Sequence, residues 1–194
     1  IGLDPDPALM PTHSIQEFNH SIVDATRDLV CAYKPNLAFY ESAGTAGIDA
    51  LADTVSYIHD IAPGIIVLGD AKRGDVGSTS AHYARALFHT WNFDAATVNV
   101  YAGRDAVQPF LDYTDKGIFV WCRSSNPGSG EFQDLYVNPV GEEFQTPKMT
   151  LHESIANSAR NWDTDGNVGV VVGATYPKEL AAVRKQCPNM PILA

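Results

Sequence analysis

Short apolar runs alternate with longer stretches of helical pattern along this chain, and no other feature restricts its fold so much. Strands are predicted at residues 1–4, 31–36, 64–72, 95–100, 117–122 and 167–172, with a seventh beginning at 191–194. Between them the spacing predicts helices over 14–30, 47–61, 78–91, 105–113, 150–162 and 177–186. Ser14 is placed to cap the first helix, and Glu17 three residues on would complete a capping box. Ile65, Ile66, Val67 and Leu68 form an unbroken apolar run, the pattern of a strand buried on both faces of a parallel sheet. Six strand-then-helix units predict an α/β fold with a parallel sheet, either doubly wound or closed into a (β/α)8 barrel. No Gly-x-Gly-x-x-Gly follows the first strand, which weakens the dinucleotide-binding version.

The 194 residues suffice for one domain with a proper core, spanning 1–194 with no linker or low-complexity segment. No apolar run approaches the roughly 18 residues of a membrane span. The net charge of −10, with no basic cluster longer than Lys72-Arg73 or Arg184-Lys185, argues against nucleic acid or an anionic membrane as partner. An anionic ligand must then be held by local donors. Cys31, Cys122 and Cys187 are odd in number and lack Cys-x-x-Cys spacing, so neither a disulfide framework nor a zinc site is signalled. A reducing cytoplasm is the simplest location. The histidines form no His-x-His or His-Glu-x-x-His pattern and read as surface or helix-packing residues. Trp91 and Trp162, late in helices, read as core packing.

Polar chemistry gathers where the predicted strands hand over to loops: Asp4, Lys34, then Asp70 and Lys72. In a barrel those strand ends form the catalytic face. Asp70 and Lys72 are two apart, so in an extended strand their side chains share a face and the small Ala71 turns the other way. Charges at the end of a buried strand are costly unless paired, and a structural ion pair would satisfy that requirement. Asp75, three residues past Lys72, together with Lys34 and Asp4 extends the pair into an alternating Lys-Asp array. A capping role at the helix beginning near Ser78 is the plainer reading of Asp75. Residues 123–148 are polar, contain Gly and Pro and show no period, far longer than an ordinary loop of about 4–6 residues.

These segments carry a family resemblance. Asp70-Ala-Lys-Arg-Gly-Asp-Val-Gly-Ser-Thr79 looks like the signature of orotidine 5'-monophosphate decarboxylases, in the bacterial branch with a DAKRGD-type motif. Ile1-Gly-Leu-Asp-Pro5 resembles that family's first strand, Tyr33-Lys-Pro-Asn-Leu-Ala-Phe-Tyr-Glu41 its second, and Trp121-Cys-Arg-Ser-Ser-Asn-Pro-Gly-Ser129 its fifth strand and following loop. The resemblance implies a (β/α)8 TIM barrel, present here from strand one to about strand seven. It implies a lyase that converts orotidine 5'-monophosphate to UMP in de novo pyrimidine biosynthesis, expelling CO2 from C6 and protonating the carbanion left behind. Lys72 would deliver the proton and Asp70 would face the departing carboxylate, with Lys34 and Asp75 flanking the pair. Asp4 and Lys34 would contact the ribose hydroxyls and Ser125 the pyrimidine ring, with residues 123–148 as a lid over it. Asp75 and Thr79 would reach into the neighbouring subunit's site, in a homodimer with shared active sites. Neither a metal nor an organic cofactor is implied. The family's phosphate ligands lie on loops after strands seven and eight, expected past Ala194. A barrel usually has about 250 residues, so a chain that starts at Ile1 and stops at Ala194 reads as one cut short at both ends.

Three rival functions use similar residues. Mg2+-dependent sugar-phosphate decarboxylases and aldolases of the same superfamily share Asp-x-Lys-x-x-Asp, but generally carry an acidic residue at the end of strand two, where this chain has Lys34. Schiff-base chemistry at Lys72 wants a desolvated neutral amine, which Asp70 and Asp75 oppose. A non-catalytic nucleotide-binding barrel would not need Asp70, Lys72 and Asp75 together.

Overall fold

The computed structural model describes residues 1–138 and 149–194. Two compact units are present, one of Ile1–Arg73 with Ser78–Thr97, the other of Gly74–Gly77 with Val98–Ala194.

In the first unit, β1 (Gly2–Leu3), β2 (Ala32–Pro35), β3 (Ile66–Arg73) and β4 (Ala95–Val98) stand side by side in chain order. β1 and β2 are parallel with Gly2 opposite Lys34, and β2 and β3 are parallel with Tyr33 opposite Val67. Pairing continues past the end of β2, where Asn36 bridges to Asp70. The helices are α1 (Ile15–Thr26), α2 (Leu37–Ser42), α3 (Gly44–Ile61) and α4 (Gly77–Arg85), the last running into one turn of π-helix at Ala86–Thr90. Ser14 caps α1 as expected, its hydroxyl accepting from the Glu17 amide at 3.2 Å. The reciprocal half of the expected box is not made: the Glu17 carboxylate instead accepts from the Thr12 hydroxyl. A buried polar knot ties the helices together. Asn19 of α1 donates to the hydroxyls of Tyr40 on α2 and Thr54 on α3, both at 2.9 Å, and Tyr40 donates to the Leu3 carbonyl at 3.3 Å. Burial drives the Tyr40 phenol far above its ordinary pKa, so it remains a donor.

β3 is buried over Val67, Leu68 and Gly69 only; Ile66 is 48% exposed, so the predicted two-sided burial holds for the second half of the run, Val67 and Leu68, and not its first. Gly69 is required there, because a Cβ would lie 2.9 Å from the buried Phe93 ring. Trp91 and Trp162 are half-buried, and Phe93, not Trp91, fills this core.

In the second unit, β5 (Gly117–Arg123), β8 (Val168–Val172) and β9 (Ile192–Leu193) pair in parallel, with α5 (Arg104–Leu111) before β5, α7 (Leu151–Trp162) between β5 and β8, and α8 (Pro177–Gln186) between β8 and β9. Thr150 and Glu153 make the full capping box at the start of α7. After β5 the chain makes a 3-10 turn at Pro127–Ser129, α6 (Gly130–Gln133) and a short antiparallel pair, β6 (Tyr136–Val137) with β7 (Met149–Thr150). The stretch read as aperiodic therefore carries structure of its own; its remaining part, 139–148, lies outside the described residues. All three cysteines are free of disulfides: Cys31 is exposed, Cys122 and Cys187 are buried. Strand, helix and parallel strand follow one another as in the (β/α)8 class through the seventh such strand, β9. Among the described residues no helix is long and apolar enough to cross a membrane.

Candidate active site

The parallel register places the ends of β1, β2 and β3 beside one another, and the charged residues read from the sequence meet there. The Asp70 carboxylate is the centre of the cluster. Its Oδ1 accepts from Lys72 Nζ at 2.6 Å and from the Thr97 hydroxyl at 2.8 Å, and its Oδ2 accepts from Lys34 Nζ at 3.2 Å. The Asp70 side chain is 10% exposed, against 26% for Lys34 and 35% for Lys72. Burial pushes the Asp70 carboxyl up, but the hydrogen bond from Lys72, the charges of Lys34 and Lys72 and the hydrogen bond from Thr97 outweigh it, leaving the group below its ordinary value. Asp70 is therefore an anion held between two ammoniums.

Asp70 and Lys72 do meet, but not along a flat strand. Lys72 has φ +48°, in the left-handed region that non-glycine residues seldom occupy. The bend is held by Thr97, whose hydroxyl oxygen accepts from the amides of both Ala71, at 3.0 Å, and Lys72, at 2.9 Å. Asp4 joins the cluster through Asn36, whose Nδ2 donates to the Asp4 carboxylate at 3.4 Å while its Oδ1 caps α2. Gly2 sits against this cluster: a Cβ there would make ordinary contact, 3.4 Å from Asp4 Oδ1 and 4.0 Å from Lys34 Nζ. Arg73, next to Lys72, pairs with Glu41 and lies 5.3 Å from the centroid of the Tyr83 ring. Thr79 is half-buried on α4 of the same unit.

Asp75 and Ser125 belong to the second unit. Asp75 is exposed and accepts from the Val76 amide at 2.7 Å. The glycine before it, Gly74, lies against Asn99, where a Cβ would be 2.0 Å from the Asn99 carbonyl oxygen, so no other residue fits that place in the motif. Ser125 is exposed just past β5, and Gly173 at the end of β8 packs against its backbone. The neighbouring Arg123 is 1% exposed. Its guanidinium donates to Gln133 at 3.2 Å and Asp134 at 3.1 Å, and lies 4.0 Å from the centroid of the Tyr176 ring. Among the described residues, no three His, Cys, Asp or Glu side chains form a group that could hold a metal ion.

Sequence reasoning missed Thr97, Asn36 and Arg123. Thr97 is the lone hydroxyl in the all-buried strand Ala-Ala-Thr-Val, a signal available in the sequence; the other two gave no comparable one.

The family described as Orotidine 5'-phosphate decarboxylase / HUMPS matches residues 1–193. The orotidine 5'-phosphate decarboxylase of Thermomicrobium roseum is 53% identical over 100% of this chain and 68% of its own length. Among solved structures, the OMP decarboxylase of Leishmania donovani superposes with a TM-score of 0.84 at 39% identity, over 98% of this chain and 71% of its own. The UMP synthase of the same organism gives 0.85 at 39% identity over 98% of this chain, which spans 40% of the synthase. Sequence and fold agree from one end of the chain to the other: it belongs to the orotidine 5'-phosphate decarboxylase / HUMPS family, among its decarboxylases, which are carboxy-lyases.

Proposed function

We propose that this protein decarboxylates orotidine 5'-monophosphate to UMP in de novo pyrimidine biosynthesis, with no metal or organic cofactor. The observation that carries the reading is the Asp70 carboxylate held by Lys72 at 2.6 Å and Lys34 at 3.2 Å. A substrate carboxylate set beside Asp70 meets a like charge, a contact worth about 4 kcal/mol at ~4 Å and an effective dielectric of 20. That repulsion disappears as the C6–carboxylate bond breaks and neutral CO2 leaves its electron pair on C6. Lys72 stabilises the charge developing at C6 and then gives its Nζ proton to that carbon. Lys34 and Asp75 flank the pair; Asp4 and Lys34 take the ribose hydroxyls and Ser125 the pyrimidine ring. In this reading Asp75 and Thr79 serve the site of a second subunit in a homodimer, working in the cytoplasm.

The same geometry disfavours the Mg2+-dependent alternative. A divalent cation drawn to Asp70 would face two ammoniums already on that carboxylate. The test follows the loss of orotidine absorbance with full-length protein in EDTA. Undiminished turnover is expected; activity that vanishes and returns with Mg2+ moves the protein to the sugar-phosphate branch, and nucleotide binding without turnover makes it a binding barrel. Lys72→Ala should cost at least about 10²-fold in kcat with the fold intact. A variant that keeps most of its turnover removes Lys72 as the obligatory acid.

A further inference from the structure

We propose that Thr97 is a positioning residue of this active site, its single hydroxyl fixing both the Asp70 carboxylate and the bent backbone from which Lys72 reaches it. The inference rests on the reading of Asp70 and Lys72 as the reacting pair and adds a residue to it. A hydroxyl has one proton to donate and two lone pairs to accept with, and Thr97 uses all three. The proton goes to Asp70 Oδ1 at 2.8 Å, and the lone pairs take the amides of Ala71 and Lys72 at 3.0 and 2.9 Å. Thr97 is 0% exposed, so no water replaces any of these bonds.

The two amides explain why a side chain is needed. Neighbouring amides of an extended strand point to opposite sides, so two of them converging on one oxygen requires the chain to leave extended geometry. Lys72 does so, with φ +48°. A non-glycine residue stays in that region only when its surroundings hold it there, and Thr97 supplies the acceptor at the bend. The bend sets where the Lys72 side chain departs, and its Nζ shares Oδ1 with the Thr97 proton. Losing the hydroxyl frees the carboxylate to rotate and the backbone at Lys72 to relax together. The charged groups facing Asp70 within this unit are Lys34 from β2 and Lys72 on β3 itself, with Asp4 joined at the edge through Asn36. These stay in place when Thr97 is changed. Asp70 should therefore titrate at higher pH without Thr97, because one hydrogen bond to its charged form is gone.

The test compares Thr97→Val, which keeps the shape and deletes the hydroxyl, with Thr97→Ser, which keeps the hydroxyl. In the full-length enzyme, kcat of the valine variant should fall by about 10²-fold, the scale of a small misplacement of a catalytic group, with KM changed far less. The serine variant should stay within a few-fold of wild type. The Asp70 carboxyl carbon, followed by 13C NMR, should titrate higher in the valine variant and as wild type in the serine variant. Equal losses from Val and Ser, or a valine variant with wild-type kcat and an unmoved Asp70, overturn the proposal. If valine does not fold, Thr97→Cys puts a poor donor and acceptor of similar size there and is read the same way. The titration needs no turnover, so it decides the role of Thr97 even if the wild-type protein does not decarboxylate orotidine monophosphate, a result that would sink the functional reading instead.

Discussion

Replacing Lys34 by Met takes one cation off Asp70 and leaves the burial that pushes its carboxyl up, so Asp70 should titrate higher in that variant. The direction of the stability effect follows from linkage. A carboxyl that sits lower in the folded chain than in the unfolded one stabilises the fold above the unfolded value, about 3.9 for aspartate, and loses that contribution as pH falls through its folded value. Acid titration of unfolding free energy should therefore show a smaller loss in Lys34→Met than in wild type over that window. Parallel losses in the two proteins would mean that Lys34 does not hold Asp70 down. Gly69→Ala tests the packing behind the same strand: its Cβ would stand 2.9 Å from the Phe93 ring. A cost of about 1–3 kcal/mol is expected from urea unfolding, and an unchanged midpoint would show that Phe93 yields freely. Asp4, Lys34, Asp70 and Lys72 were legible as site residues because charge at the end of a buried strand is anomalous in any sequence. Asn36 was not, since Asn is an ordinary cap, and the lone hydroxyl of Thr97 in an apolar strand was a signal that named no partner. Their roles arise only when lateral register brings Thr97 to the amides of β3 and Asn36 to Asp4.

Among the elements, α8 matches its predicted bounds, residues 177–186, because Pro177 takes the first helical position, where its missing N–H costs nothing. The helix α2 went unread. It is a short helix starting straight after β2, and its cap, Asn36, looked like the end of the strand. The π turn at Ala86–Thr90 was absorbed into one predicted helix, since a single extra residue leaves the apolar spacing nearly intact. The short elements of the excursion after β5 could not be read from spacing because what orders it is not periodic. The buried Arg123 binds Gln133 and Asp134, and Gln133 in turn accepts from the Ser124 amide at 2.9 Å. Arg123→Met should thus loosen residues 124–138 while leaving β3 untouched. Hydrogen exchange should speed up over that segment, with a stability loss of about 1–3 kcal/mol. Protection unchanged there would mean that the segment is held by other contacts.

At the scale of the whole molecule, the proposed homodimer makes a prediction that no single chain can meet. Inactive Lys72→Ala and inactive Asp75→Asn proteins, allowed to exchange subunits, should regain activity, because one site of the mixed dimer then holds both defects and the other neither. If exchange is demonstrated and the mixture stays as dead as its parents, Asp75 acts within its own chain. The distribution of thiols bears on how such mixtures can be followed. Cys122 and Cys187 are buried, and burial pushes the Cys122 thiol up to about 12, whereas Cys31 is exposed just before β2, the strand that carries Lys34. Of these three thiols a maleimide dye should therefore take Cys31, roughly 10 Å along the chain from Lys34 at ~3.3 Å per residue. Donor- and acceptor-labelled preparations would then report subunit exchange by energy transfer in the cuvette where turnover is measured, with the native Cys31 as the attachment point.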